Sequence, residues 1–218
     1  VHEVFGAKVH LECSDLAAVP LFVAGYTGRD QAAVRAHIEE LQAIGIAPPP
    51  ECPMYYHLPS DLLTQASDLP EPSAADFTSG EVEPVYVHYH GNSYIGIGSD
   101  HTDRQLESED VKLSKEKCSK PIGDFFIQVP DFDTANIDAW KATTVIDGIP
   151  YQEGYFSSLL TPGKVIAGLL PHLDGQDDYV CFGGTIPLLT GKFQSGKVWE
   201  MRVKVPFSAT LDLTYRLG

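Results

Sequence analysis

Two short phrases carry most of the candidate chemistry in this chain: "GEVEP" (Gly80 to Pro84) and "GSDHTDR" (Gly98 to Arg104). In the first, Glu81 and Glu83 stand two residues apart. On a β-strand such residues point to the same face, about 6.6 Å apart along the chain. Two carboxylates at that spacing can converge on one hard cation; left unneutralised on a buried face, they repel and raise each other's pKa. The solvent-facing edge of a strand would suit the same pair. In the second phrase an apolar run ends at Ile97, a glycine follows, and Ser99, Asp100, His101, Thr102, Asp103 and Arg104 come in succession. Glycine at such a bend lets the backbone approach a ligand closely. Ser99 or Asp100 would also cap a helix starting there, with Asp103 in its first turn. Mg²⁺ takes oxygen ligands and keeps several waters, so two or three carboxylates are enough to hold it.

A third candidate lies upstream. In "RAHIEEL" (Arg35 to Leu41), His37 and Glu40 are i and i+3, neighbours on one face of a helix. A carboxylate beside an imidazole raises its pKa and fixes its tautomer, as a general base requires. A surface ion pair on an amphipathic helix explains the spacing as well. "VHYHG" puts His88 and His90 on one strand face, which suits a softer metal or a plain exposed alternation. Cys118 has no identifiable partner base, which argues against a cysteine nucleophile. "IPYQEG" offers Tyr151 and Gln152 as pocket or corner residues.

The elements that must position these side chains are mostly strands. "AKVHLE" alternates as a strand does, and "LFVAGY" (Leu21 to Tyr26) is an apolar run that reads as a strand feeding a loop. From Arg29 to Gly45, the residues Ala33, Val34, Ile38, Leu41 and Ile44 recur at helical spacing, with Asp30 as N-cap and Gly45 as stop. Two Pro-rich breaks follow, "APPPECP" and "DLPEPSAAD". Residues 1–70 therefore read as a cap-like region of strands and one helix, and residues 71–218 as the main body of one structural unit. Later, "PVYVHYH", "SYIGIG", "DFFIQV", "YVCFGGTIPL" and "KVWEMRVKV" are strand-like, with helical signals at "TDRQLESEDVKLSKEK" and "TANIDAWK". The expected class is α+β, β-rich and mostly antiparallel.

Composition narrows the functions. At 218 residues the chain can bury one sizeable core. Its net charge is -15, from 30 acidic against 15 basic residues, and nucleic-acid binding by counterion release needs basic clusters that are absent. No apolar run approaches the ~20 residues of a membrane span, and the first residues lack the basic and apolar regions of a secretory signal. Cys13, Cys52, Cys118 and Cys181 are scattered without a C-x-x-C pair. That fits reduced thiols in a cytoplasmic protein better than a disulfide framework.

The order of the phrases resembles that of the fumarylacetoacetate hydrolase superfamily: an E-x-E strand, an Asp-containing turn ending in Arg, a Lys, and a late Thr-Pro turn. The matching pieces are "GEVEP", "GIGSDHTDR", "SKEKCSKPIG" and "FGGTIPL". More closely, "SGEVEP", "GSDHTDR" and "YQEG" look like the branch known as DUF2848. The resemblance implies a roll of mixed β-strands with a small N-terminal cap region, often dimeric, that holds Mg²⁺ (sometimes Mn²⁺ or Ca²⁺). It makes Glu81, Glu83 and Asp100 the metal ligands and His37 with Glu40 the water-activating dyad. Lys115 best matches a Lys that stabilises a developing oxyanion, with Lys117 and Lys120 as rivals because the spacing is off by a residue or two. Arg104 matches the Arg of the turn, and Thr185 matches a Thr that binds the substrate's carboxylate or carbonyl end. Tyr26 and Arg29 fall in a substrate-contacting loop. Here "H-T-D" replaces the usual "V-S-A", so His101 and Asp103 are expected to make substrate contacts of their own.

The expected function is that of a Mg²⁺-dependent enzyme acting on a small 2-oxo acid or 1,3-dicarbonyl, acylpyruvate-like compound. It would cleave a C–C bond by hydrolysis through a metal-chelated enolate. Decarboxylation, isomerisation or hydration would use the same enolate without water attack. A secondary-metabolism lyase would take a larger substrate, and an apolar lining from Tyr55, Tyr56, Phe77 and Tyr155 would favour it. A metal-stabilised binding protein without turnover is the remaining alternative.

Overall fold

Two strand patterns occur along the chain, and each builds a different sheet. The computed structural model describes residues 6–43, 48–71 and 77–218, apart from the side chains of His37, Glu40 and Leu41. The chain begins with β1 (Lys8–His10), α1 (Cys13–Leu16), β2 (Leu21–Gly25), α2 (Gln31–Ala43) and β3 (Met54–Leu58). Short strands β4 (Leu63–Thr64), β5 (Asp68–Leu69) and β6 (Thr78–Ser79) lead to the long β7 (Val82–Tyr89) and β8 (Asn92–Ser99). Then come β9 (Thr102–Asp103), α3 (Arg104–Glu107), α4 (Val111–Glu116), β10 (Lys120–Pro121) and β11 (Phe125–Val129). The remainder is β12 (Lys141–Ile146), β13 (Ile149–Tyr155), α5 (Pro162–Leu169), β14 (Tyr179–Phe182), β15 (Val198–Lys204) and β16 (Thr210–Leu217).

The larger sheet has the order β1-β11-β8-β7-β14-β2-β3 and is antiparallel except where β14 meets β2. It is covered on both faces, which is why "LFVAG" and "YVCF" read as continuous apolar runs. Leu21, Val23, Val85, Phe126 and Phe182 pack on one side with Leu16 of α1. Phe22, Tyr86, Ile95 and Ile127 face the other side, against the second sheet. That sheet, in the order β13-β12-β15-β16-β5, shows the other pattern. Along β15 and β16 buried and exposed residues alternate, so one face meets the core and the other meets water. Trp199, Met201, Leu211, Leu213 and Tyr215 point inward and pack with Val165, Ile166 and Leu169 of α5.

The architecture is the β-rich, mixed α+β roll expected from the sequence. Strands β1, β2 and β3 belong to the large sheet, so the boundary drawn near residue 70 is crossed by sheet pairing. Asp30 caps α2 as expected, accepting from the N–H groups of Ala32 and Ala33; its expected stop, Gly45, lies outside the described residues. No helix among the described residues is long and apolar enough to cross a membrane.

Three stretches differ from expectation. "TDRQLESEDVKLSKEK" breaks into α3 and α4 because it contains two caps: Asp103 accepts from the Gln105 and Leu106 N–H groups, and Asp110 accepts from that of Leu113. "TANIDAWK" forms turns, since Asp131 binds Thr134 and Asn136 binds the Asp138 N–H, local bonds that compete with a helix. His90 shares no strand face with His88. With Gly91 it makes the two-residue turn of the β7–β8 hairpin, both at positive φ (50° and 74°), as a type I′ turn requires. Elements beyond those expected include α1, β3, α5, started by Thr161 and Pro162, the β12–β13 hairpin turned at Asp147-Gly148, and the alternating β16.

The β7–β8 hairpin decides the geometry that matters most. Val82 pairs with Ser99 and Glu83 with Gly98, and the Asp100 N–H donates to the Glu81 carbonyl at 3.1 Å. Register alone thus lays the two acidic phrases side by side. Gly80 ends the first phrase's approach: a Cβ there would lie 2.4 Å from both Ser99 Oγ and the Tyr215 hydroxyl. Gly80→Ala is expected to destabilise the protein by about 1–3 kcal/mol through overpacking. A urea titration should show a lowered midpoint at an unchanged slope; an unaltered midpoint would mean that the buried neighbours yield without cost.

Candidate active site

A cavity of about 510 Å³ is lined by Glu81, Glu83, Asp100, Lys115, Gly184 and Thr185, and by Tyr26, Arg29, Ala33 and Val34 among others. The hairpin and α4 bring in the acids and the lysine. Each acid has a different partner. Asp100 accepts from Lys115 Nζ at 2.5 Å and has Lys120 Nζ 3.4 Å from its other oxygen, all three side chains being buried. Glu81 accepts from Arg104 Nη2 at 2.9 Å. Glu83 accepts from the Gly184 N–H at 2.8 Å and has no ion-pair partner among the described residues.

Ionisation follows from those partners. Burial pushes the Asp100 carboxyl up, but the Lys115 and Lys120 ammoniums outweigh it and hold it well below the usual carboxylate range. Burial works against the Lys115 charge, yet Asp100 keeps its pKa above that of an ordinary lysine. Lys120 is lowered by burial, only partly offset by Asp100. Glu83 is raised well above normal, first by burial and then by the Asp100 charge. Glu81 is also raised by burial, against the pull of Arg104.

The three rival lysines separate cleanly. Lys115 lines the cavity, whereas Lys117 is exposed. Lys120 is sealed inside, donating to the carbonyls of His101, Lys115 and Cys118 at 2.6, 2.5 and 3.1 Å. On the β14 side, Gly184 adopts φ +93° and packs so tightly on Thr27 that a Cβ would collide with its hydroxyl. Only glycine fits there, and its N–H reaches Glu83. Thr185 Oγ1 donates to the Val82 carbonyl at 2.7 Å and accepts from Gln152 Nε2 at 2.9 Å. Gln152 Oε1 in turn accepts from the Val82 N–H and Thr144 Oγ1. The Thr185 proton is therefore already used, and a lone pair is what its hydroxyl offers the cavity.

His101 and Asp103, expected to touch substrate, are absent from the cavity walls. The His101 ring is buried, 2.9 Å from the Tyr215 hydroxyl and 2.9 Å from Thr78 Oγ1, and edge-on to Trp199. Burial brings its pKa down to about 3, so the ring is neutral. Asp103 is the N-cap of α3. The physical reason for His101 is that neighbouring side chains in extended backbone point to opposite faces, so it turns away from Asp100. Arg104 is committed to Glu81, Glu107 and Ser79, and lies beneath the Phe193 ring at 3.8 Å. Arg29 lines the cavity, but its guanidinium forks onto Asp138 at 2.5 and 2.7 Å and its Nε donates to the Leu159 carbonyl. Tyr26 lines the cavity at a strained φ of 58°. The side chains of His37 and Glu40 lie outside the described residues.

Among the described residues no three His, Cys, Asp or Glu side chains form a group arranged to hold a metal ion. Glu81 and Asp100 are drawn onto Arg104 and Lys115 instead. The donor chemistry nevertheless fits a hard divalent cation: three carboxylates line one cavity. Glu83, buried with a single backbone N–H as its partner among the described residues, is the kind of group that such an ion compensates.

A family model described as "Protein of unknown function (DUF2848)" matches residues 24–215. The chain belongs to the DUF2848 family. No curated protein matches it. Among solved structures, this DUF2848 chain is similar to the fumarylpyruvate hydrolase from Pseudomonas aeruginosa in complex with Mn²⁺ and pyruvate, at a TM-score of 0.64 and 16% identity over 91% of this chain and 88% of that one. It is also similar to 5-carboxymethyl-2-hydroxymuconate delta-isomerase from Mycobacterium smegmatis, at 0.61 and 18% identity over 92% and 77%. A third is 2-hydroxyhepta-2,4-diene-1,7-dioate isomerase from Mycobacterium marinum, at 0.58 and 15% identity over 92% and 75%. What the DUF2848 chain shares with them is the fold of the fumarylacetoacetate hydrolase superfamily, on which both hydrolases and isomerases occur.

Lys120 supplies a test of how the loop is held. Lys120→Met leaves Asp100 with one cation fewer and three carbonyls without a donor, and should cost about 3–5 kcal/mol in a urea titration. Lys117→Met should stay within about 0.5 kcal/mol of the parent. Equal midpoints for the two variants would contradict the assignment of Lys120 as the buried clamp.

Proposed function

We propose that this chain is a divalent-metal-dependent enzyme that hydrolyses a C–C bond in a small 2-oxo acid or 1,3-dicarbonyl compound. The observation that carries the reading is that Glu81, Glu83 and Asp100 share one cavity with the Lys115 ammonium. The three carboxylates would hold Mg²⁺ or Mn²⁺, which when bound supplies Lewis-acid polarisation of the substrate's oxygens. Support for such an ion comes from the Mn²⁺ and pyruvate in the fumarylpyruvate hydrolase of the same fold.

The chain's own residues then have definite tasks. Lys115 is kept charged by Asp100 and donates a hydrogen bond to the substrate oxygen that gains negative charge as the bond breaks. Its 2.5 Å contact with Asp100 orients it before substrate arrives. Arg104 and the Gly184 N–H steady Glu81 and Glu83. The Thr185 lone pair accepts from the enol hydroxyl of a 1,3-dicarbonyl substrate. Helix α2 already contributes Ala33 and Val34 to the cavity, one turn before position 37. His37, backed by Glu40, takes a proton from water as the oxygen adds to the distal carbonyl. The C–C bond electrons pass to the 2-oxo acid fragment, whose carbon then takes a proton, leaving two acids as products. Isomerisation or decarboxylation is the second reading, favoured by the two isomerases among the structural neighbours, and would need no water-activating dyad.

Glu83→Gln and Asp100→Asn should each lower turnover of an acylpyruvate by about 100-fold or more and weaken Mg²⁺ or Mn²⁺ binding in a calorimeter. Full activity with unchanged metal affinity would remove the metal-site reading. Lys115→Met should reduce kcat by about 100-fold with a much smaller change in KM, as loss of an oxyanion donor does. His37→Ala distinguishes the reactions: hydrolysis should stop, whereas sustained turnover would point to isomerisation or decarboxylation.

A further inference from the structure

A second cavity, of about 550 Å³, adjoins the first, with Gly25, Tyr26, Glu81 and Lys115 in the walls of both. Both are of the size that takes small molecules. What differs is their chemistry. The first holds Glu83 and Asp100, whereas the second is closed by Tyr56, Val111 and Phe193, together with Arg104, Glu107 and Ser108.

The charges on the second cavity's walls are already paired. Arg104 binds Glu81 at 2.9 Å and Glu107 at 3.0 Å, and Lys115 binds Asp100 at 2.5 Å. An incoming carboxylate would find no uncommitted cation among these residues and would face Glu81 and Glu107 instead. The remaining surface is mainly apolar, made by three aromatic rings with Val111, Gly25 and Ser108. Phe193, 39% exposed, lies over the Arg104 guanidinium at 3.8 Å, so one of its faces is covered and the other is available. Tyr56 brings a second ring, with Lys115 Nζ 5.8 Å from its centroid. Tyr26, held at positive φ, stands where the two cavities meet.

We infer that the second cavity receives an uncharged aryl or extended apolar arm of the substrate, while the oxo-acid end lies in the first. The inference rests on the proposed reading of the first cavity as the reacting end. It separates this chain from the isomerase of the same fold that is named for a dioate, a compound with a carboxylate at each end. Ring-on-ring contact with Phe193 and Tyr56 would position such an arm and would exclude water from the neighbouring charges.

Binding can be measured apart from turnover. In the presence of Mg²⁺, isothermal titration calorimetry would compare 2-oxobutanoate, 4-phenyl-2-oxobutanoate and 2-oxohexanedioate, none of which has the second carbonyl that hydrolysis needs. The phenyl compound should bind about tenfold or more tighter than 2-oxobutanoate, the yield of burying a ring in an apolar pocket, and the diacid should gain nothing. Phe193→Ala should shrink the phenyl advantage to about threefold or less. Equal affinities, a diacid that binds tightest, binding by none of the three, or a phenyl advantage untouched by Phe193→Ala would each overturn the inference. Phenyl preference in binding without turnover of an aroylpyruvate would remove the proposed reaction and leave the aryl subsite standing.

Discussion

Asp100 is a carboxylate taken out of water and placed between two lysine ammoniums, and the site is assembled around that compensation. An isolated buried carboxylate would simply take up a proton. With Lys115 on one oxygen and Lys120 near the other, Asp100 stays ionised and Lys115 stays charged. Lys120 does more than neutralise. Its bonds to three carbonyls tie the segment after β8 to the end of α4, so the helix that carries Lys115 cannot drift from the segment that carries Asp100. The Asp100 N–H on the Glu81 carbonyl links that cluster to the other acids.

Around this centre the acids are held by unequal partners. Arg104 neutralises Glu81, the lysines neutralise Asp100, and among the described residues Glu83 has one backbone N–H. The imbalance leaves Glu83 the least compensated of these three carboxylates. The backbone that presents it is braced by Gln152, whose side-chain amide joins Val82, Thr144, Thr185 and Ile186 into one network. On the far side of the hairpin, the Tyr215 hydroxyl bonds with Ser99 Oγ and with the buried, neutral His101 ring. Both networks draw on the second sheet, through β12, β13 and β16. The site at the end of the β7–β8 hairpin therefore depends on the sheets being stacked.

The fold leaves the reaction open. Hydrolases and isomerases share this roll at identities below 20%, so the chemistry resides in the cavity walls and not in the strand order. In this chain the walls divide into an acidic half with an ammonium and an aromatic half whose charges are mutually satisfied. That division, more than the resemblance, is what gives the molecule an individual character.

Much of this was legible in local patterns. Continuous apolar runs marked the strands covered on two faces, Asp30 marked the start of α2, and the acidic phrases marked the carboxylates that line the first cavity. Even their meeting had a signal, since His90-Gly91 is a hairpin turn equidistant from both. Local pattern does not reveal which partner a side chain will find. Glu81 meets Arg104 23 residues away, Thr185 meets Gln152 across 33, and His101 meets Tyr215 across 114. Drawing Lys115 to Asp100, burying Lys120 under the His101 carbonyl, seating His101 on Tyr215 and opening a second cavity beside the first all depend on contacts between residues distant in sequence. Residue types and spacing determined which charges this protein carries into its interior. Tertiary structure decided how each is compensated, because burial and pairing energies exist only once distant strands have come together.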